Sequence, residues 1–199
     1  HVVLGIDRAG VVGEDGETHH GLFDVSYLST IPGTVLYAPS CYDELTMCLR
    51  RGIYEEKGLI GIRYPRGRDT STFDQSVLNT EYTHVSGHKT DTLLISYGRI
   101  YDALYHAKQR ADRMDCPCDL LKLTRIFPIQ EAIVEIAKSY RHILFFEQGY
   151  TGTYVRIAPK DFIRQAPMRV QLEQMGLSEE AMLKRILQEW EKWNEHGTT

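Results

Sequence analysis

Apolar positions come in two kinds along this chain, short unbroken runs and stripes at helical spacing, and the two alternate. Val2 to Ile6, Thr34 to Ala38 and Leu59 to Tyr64 are short runs bounded by Gly, Pro or Asp, the pattern of strands buried on both faces. Between the second and third runs, Cys41 to Glu55 carries the helical spacing. Pro39 ends the strand before it, and Ser40 and Asp43 form a capping pair. This β-α-β order predicts a parallel sheet.

Gly67 to Thr90 is rich in Ser, Thr and Asp and follows neither period, so it reads as a linking stretch. A second alternation follows. Thr92 to Tyr97, Asp119 to Leu123 and His142 to Glu147 read as strands, Ile100 to Arg113 and Ile129 to Tyr140 as the helices between them. Leu177 to Trp193 reads as an amphipathic helix with Met182, Leu183, Ile186, Leu187 and Trp190 on one stripe. The expected fold class is α/β, with two parallel-sheet units: residues 1–75, a linker over 76–90, and residues 91–199.

Composition narrows the functional classes. With 199 residues and 42% hydrophobic side chains the chain can bury real cores. A net charge of -4 with interleaved signs offers no field for nucleic acid or an anionic membrane, and neither is an expected partner. No apolar run approaches the length of a membrane span, and the first residues lack a signal-peptide layout. Cys41, Cys48, Cys116 and Cys118 have no zinc-knuckle spacing, so they read as free thiols of a reducing cytoplasm.

The chemistry concentrates after the first strand, in I-D-R-A-G-V-V-G-E-D-G-E-T-H-H-G-L-F-D from Ile6 to Asp24. Ligands of parallel sheets bind at the carboxyl ends of strands, and Arg8 and Arg66 each follow one. Two guanidinium forks emerging at one edge suit a phosphate, though solvated arginines paired with Asp69 or Asp74 would share the spacing. Asp15 and His19, four apart in a glycine-rich loop, suit acid-base work. The neighbouring pair His19 and His20 lacks a third ligand for a metal.

The D-G-x-T-H-x-G core resembles the substrate loop of transketolase-type, thiamine-diphosphate-dependent enzymes. The flanks I-D-R-A-G, G-L-F-D-V-S-Y-L and R-Y-P-R-G (Arg63 to Gly67), with E-Q-G at Glu147 to Gly149 and M-G-L-S-E-E-A-M, resemble the 1-deoxy-D-xylulose-5-phosphate synthase family within that group. The resemblance implies part of a pyrimidine-type domain, then a transketolase carboxyl-terminal-like domain. It also implies a homodimer and a cytoplasmic transferase that condenses pyruvate with glyceraldehyde 3-phosphate, using thiamine diphosphate and Mg2+.

By the same resemblance Arg8 and Arg66 bind the acceptor's phosphate, His19 contacts the pyruvate-derived intermediate, and Asp15 takes the acceptor's hydroxyl. Arg63 has no such counterpart and reads as structural, and His20 stands where the family often carries Gln. The family's diphosphate and Mg2+ site lies in an amino-terminal domain, which leads one to expect that this chain lacks it, and a segment reads as absent between Gly152 and Val155. Two alternatives remain: another transketolase-superfamily enzyme, such as a transketolase or a 2-oxoacid dehydrogenase β subunit, and a non-catalytic dimerisation or phosphate-binding module.

Overall fold

Each predicted apolar run becomes a strand. In the computed structural model, which describes residues 1–87, 89–149, 156–157 and 164–196, β1 (Val2–Ile6), β2 (Thr34–Tyr37) and β3 (Leu59–Arg63) lie parallel in the order β1-β3-β2. The helix α2 (Tyr42–Tyr54) makes the crossover from β2 to β3 and packs Cys48 and Leu45 against Val35, Tyr37, Ile60 and Ile62. The short α1 (Asp24–Leu28) precedes β2.

A second sheet holds β4 (Tyr82–Val85), β5 (Thr92–Tyr97), β6 (Asp119–Leu123), β8 (His142–Phe146) and β9 (Arg156–Ile157), in the order β4-β6-β5-β8-β9. Helices α3 (Tyr101–Asp112) and α4 (Glu131–Lys138) make its crossovers, and α5 (Met168–Gln174) and α6 (Glu179–His196) follow. Alternate side chains of β5 serve different cores. Leu94 joins Leu104 of α3 and Met182 and Ile186 of α6, while Leu93 and Ile95 join Leu36 of β2 and Val25 and Leu28 of α1. The second of these clusters lies between the sheets, so burying it fixes one unit against the other.

The structure corrects several expectations. Both sheets are mixed rather than purely parallel: β7 (Arg125–Phe127) pairs antiparallel with β2, and β4 pairs antiparallel with β6. β7 reaches the first sheet because only Thr124 separates it from β6, and the Thr124 carbonyl accepts the Ala38 N–H at 2.7 Å. The stretch read as a linker contains β4 and is tied down at two points. Phe73, only 4% exposed, packs edge-on against Tyr101 at 4.9 Å, and the Glu81 carbonyl accepts the N–H groups of Thr124 and Arg125.

The expected Ser40 and Asp43 cap does not form. Cys41 is the N-cap of α2 without a side-chain cap bond. Glu44 reaches back instead, one oxygen accepting the Ser40 N–H at 2.9 Å, because its other oxygen is drawn inward by Lys122 of β6. The stripe on α6 is covered within the chain: Met182, Leu183 and Ile186 are buried against α3, so it calls for no partner. The shortening expected between Gly152 and Val155 lies outside the described residues. No helix among them is long and apolar enough to cross a membrane.

All four cysteines are free and buried. Burial pushes their thiols up, Cys116 to about 11 and Cys48 to about 12, from an ordinary 9.0. Native protein at pH 8 is therefore expected to resist iodoacetamide at all four cysteines, and guanidinium to expose them, as mass spectrometry reads directly. Unfolded thiols ionise from pH 9 while the folded Cys116 holds its proton to about 11, so stability should fall as pH rises through that window.

Candidate active site at the meeting of two sheet edges

The loop between β1 and α1 returns on itself at Gly21. Its N–H donates to the Arg8 and Gly10 carbonyls at 3.1 and 2.9 Å, and its own carbonyl accepts the Gly10 N–H at 2.9 Å. There is no room for a side chain here, since a Cβ on Gly21 would lie 2.4 Å from the Arg8 carbonyl oxygen. Within the loop the Val12 N–H donates to His20 Nδ1 at 3.2 Å, which makes the second histidine a brace. Gln171 of α5, fully buried, holds the loop from outside: its Oε1 accepts the Gly13 N–H at 2.9 Å while its Nε2 donates to the Arg164 carbonyl at 3.0 Å.

Arg63, at the end of β3, anchors this loop from below. It is 4% exposed and makes a bidentate pair with Asp24, Nε to Oδ2 at 2.8 Å and Nη2 to Oδ1 at 3.0 Å. The same Nη2 donates to the Gly21 carbonyl at 3.1 Å, and the guanidinium lies over the Tyr97 ring at 5.6 Å. Tyr97 in turn donates its hydroxyl to Glu147 at 2.9 Å. Burial, opposed by Arg63 and reinforced by Glu147, pushes the Tyr97 phenol up, so it stays a donor.

Above this base the sequence-predicted residues take their places. Arg8 and Arg66 converge on one atom: Arg8 Nε lies 3.0 Å and Arg66 Nε 2.7 Å from Asp15 Oδ2. Asp15 is therefore the anion between two guanidinium groups, with its side chain 17% exposed against 41% and 51% for the arginines. Arg8 has left-handed backbone, φ 60°, held by its N–H to Asp7 Oδ1 at 2.6 Å, a conformation that costs a non-glycine residue about 1–2 kcal/mol.

His19 stands exposed farther along the loop, its Nδ1 3.2 Å from the Thr18 hydroxyl, and the structure does not bring it into contact with Asp15. A cavity of about 960 Å3 opens beside Arg66, lined also by Cys41, Tyr64, Arg99 and Met168. Sequence reasoning missed Asp24, Gln171 and Arg99, whose partners lie far along the chain.

Comparison with known proteins agrees with this architecture. Residues 1–69, which hold the loop and strands β1 to β3, match the family model of the transketolase pyrimidine binding domain. Over most of its length the chain is a relative of the 1-deoxy-D-xylulose-5-phosphate synthases. It is 31% identical over 185 residues to that of Chlorobium luteolum (89% of this chain, 29% of the relative) and 32% identical over 208 residues to that of Clostridium tetani (94% and 33%). With the Chlorobaculum tepidum protein, identity is 48% over 85 residues, covering 43% of this chain and 13% of the relative.

The chain thus spans about three-tenths of the length of the first two relatives. Two solved transketolases share the fold: that of Campylobacter jejuni at TM-score 0.76 and 13% identity (94% of this chain, 31% of that one), and a Pichia stipitis variant at 0.78 and 14% (96% and 30%).

Two outcomes follow from the base of the site. Asp24→Asn leaves the Arg63 charge buried without its partner and should cost about 3–5 kcal/mol in urea unfolding, while a substitution at exposed Glu135 should cost nothing measurable. Gly21→Ala drives a Cβ into the Arg8 carbonyl, so it should lower the melting temperature by several degrees in calorimetry, roughly 4 °C or less per kcal/mol lost.

Proposed function

We propose that this chain forms part of a thiamine-diphosphate-dependent, transketolase-type synthase that condenses pyruvate with glyceraldehyde 3-phosphate to 1-deoxy-D-xylulose 5-phosphate and CO2. The observation that carries the reading is the meeting of Arg8 and Arg66 on Asp15 Oδ2 at the carboxyl edge of a parallel sheet, within a chain that resembles such synthases. The two forks are oriented by the carboxylate before any ligand arrives.

When the acceptor's phosphate reaches them, both arginines turn from Asp15 to the phosphate oxygens. Asp15 is then released to accept from the acceptor's hydroxyl, and exposed His19 supplies a proton to the developing alkoxide. Fixing the aldehyde by its phosphate gives the reacting carbon a defined orientation.

Thiamine diphosphate supplies the carbanion chemistry that a decarboxylative condensation requires. Among the described residues no group of three or more His, Cys, Asp or Glu is arranged to hold a metal ion, so none of them is assigned to the diphosphate's Mg2+. Homodimerisation would cover the apolar Phe23, Tyr27 and Ile31, which stand 52%, 58% and 42% exposed about α1.

The test is turnover by the full protein carrying this chain, supplied with thiamine diphosphate, Mg2+, glyceraldehyde 3-phosphate and either pyruvate or a ketose phosphate as donor. Pyruvate-dependent release of CO2 supports the reading, and use of the ketose alone replaces it with a transketolase. Arg66→Ala should lower kcat/KM for the triose phosphate by about 2 kcal/mol, the scale of a charged hydrogen bond. The KM for pyruvate should stay unchanged, and an equal effect on both substrates counts against the clamp.

A further inference from the structure

The cavity beside the clamp is walled by the carboxyl edges of both sheets. Arg66 and Arg68 reach it from the loop after β3, and Arg99 reaches it from the turn after β5. Arg99 touches that loop directly, its Nη2 donating to the Arg66 carbonyl at 2.8 Å. Gly67, at φ +100°, makes the approach possible, since a Cβ there would stand 3.3 Å from the same nitrogen. The guanidinium from the second sheet therefore braces the peptide that carries Arg66.

Among the described residues neither Arg99 nor Arg68 has a carboxylate at ion-pair distance, whereas Arg66 has Asp15 and Arg63 has Asp24. Of the four acids that line the cavity, Asp7 pairs with Arg8, Asp69 accepts from the Tyr42 N–H and from Ser71, Asp102 accepts from the Thr72 and Phe73 N–H groups, and Glu14 is exposed. Burial pushes the pKa of Arg99 down, with Asp69 acting in the opposite direction. A partly desolvated cation whose carboxylate neighbour, Asp69, makes no ion pair with it costs free energy that a bound anion would return.

We propose that Arg99 belongs to the phosphate site: it positions Arg66 through the loop carbonyl and, with Arg68, presents positive charge to the ligand from across the cavity. This rests on the clamp reading above and extends it, because the phosphorylated ligand is then gripped from both sheets instead of from one loop.

The test is calorimetric titration of the full protein with inorganic phosphate, comparing wild type with Arg8→Met, Arg99→Met, Arg99→Lys and Arg68→Met. Arg113→Met, exposed and off the cavity wall, is the control. Arg99→Met should weaken phosphate about tenfold, the scale of one charge-assisted hydrogen bond. Arg99→Lys should recover part of that loss, and Arg68→Met should weaken binding several-fold with an unchanged melting temperature. In turnover, Arg99→Met should raise KM for the triose phosphate and leave KM for pyruvate alone, a split that general loosening of the fold would not give.

Loss at Arg8→Met with wild-type binding at both Arg99→Met and Arg68→Met overturns this proposal and leaves the clamp standing. No phosphate binding by the wild type overturns both. Should Arg99→Met fail to fold, Arg99→Gln replaces it, and wild-type affinity there and in Arg68→Met removes the second sheet from the site.

Discussion

The buried pair between Arg63 and Asp24 is the contact on which the site depends. It joins the end of β3 to the start of α1, and by the Gly21 carbonyl it fixes the return point of the loop that carries Arg8, Asp15 and His19. Its guanidinium face rests on Tyr97, so the same cation also registers the first sheet against the second. A buried ion pair is weak evidence for stability, because desolvation offsets most of the attraction. Its value here is positional: the planar fork admits one arrangement of its partners, and a hydrophobic substitute of equal volume would not specify the Gly21 carbonyl.

A second buried pair, Lys122 with Glu44, plays the same part at the other end of the seam. Lys122 lies over the rings of Phe73 and Tyr101 at 4.8 and 5.2 Å, so an ammonium within the interior is surrounded by a carboxylate and two π faces. Phe73 thereby draws the polar stretch after β3 onto the second sheet. With β7 completing the first sheet from the far side, the two carboxyl edges face one another across a cavity lined by residues of both.

The parts of this architecture readable from sequence were those governed by local pattern. Val2 to Ile6, Thr92 to Tyr97 and Asp119 to Leu123 begin and end where their apolar runs do, and Arg8 and Arg66 follow parallel strands, which is enough to place them at one edge. What escaped was set by distant partners. β7 is a three-residue edge strand with no period to detect, and β4 is half buried, which mutes its alternation. The N-terminus of α2 looked like a Ser and Asp cap, yet Glu44 answers to a lysine seventy-eight positions away. Asp15 was legible as a site residue but its ion pairing was not, since nothing local shows that two arginines converge upon it.

That convergence makes Asp15 an internal counterion shared by both arginines, while Asp7 pairs with Arg8 alone. An anion entering the proposed site would have to displace a tethered carboxylate, present at high effective concentration and singly charged. Chloride or a free carboxylic acid offers no more charge than Asp15 and gains little by exchange. In the phosphate site proposed above, a monoester carrying a charge of about -1.5 to -2 near neutral pH would out-compete it. Selectivity for dianions over monoanions would then arise from the occupant the loop supplies for itself, and would fade as the phosphate's second ionisation near pH 6 is reversed.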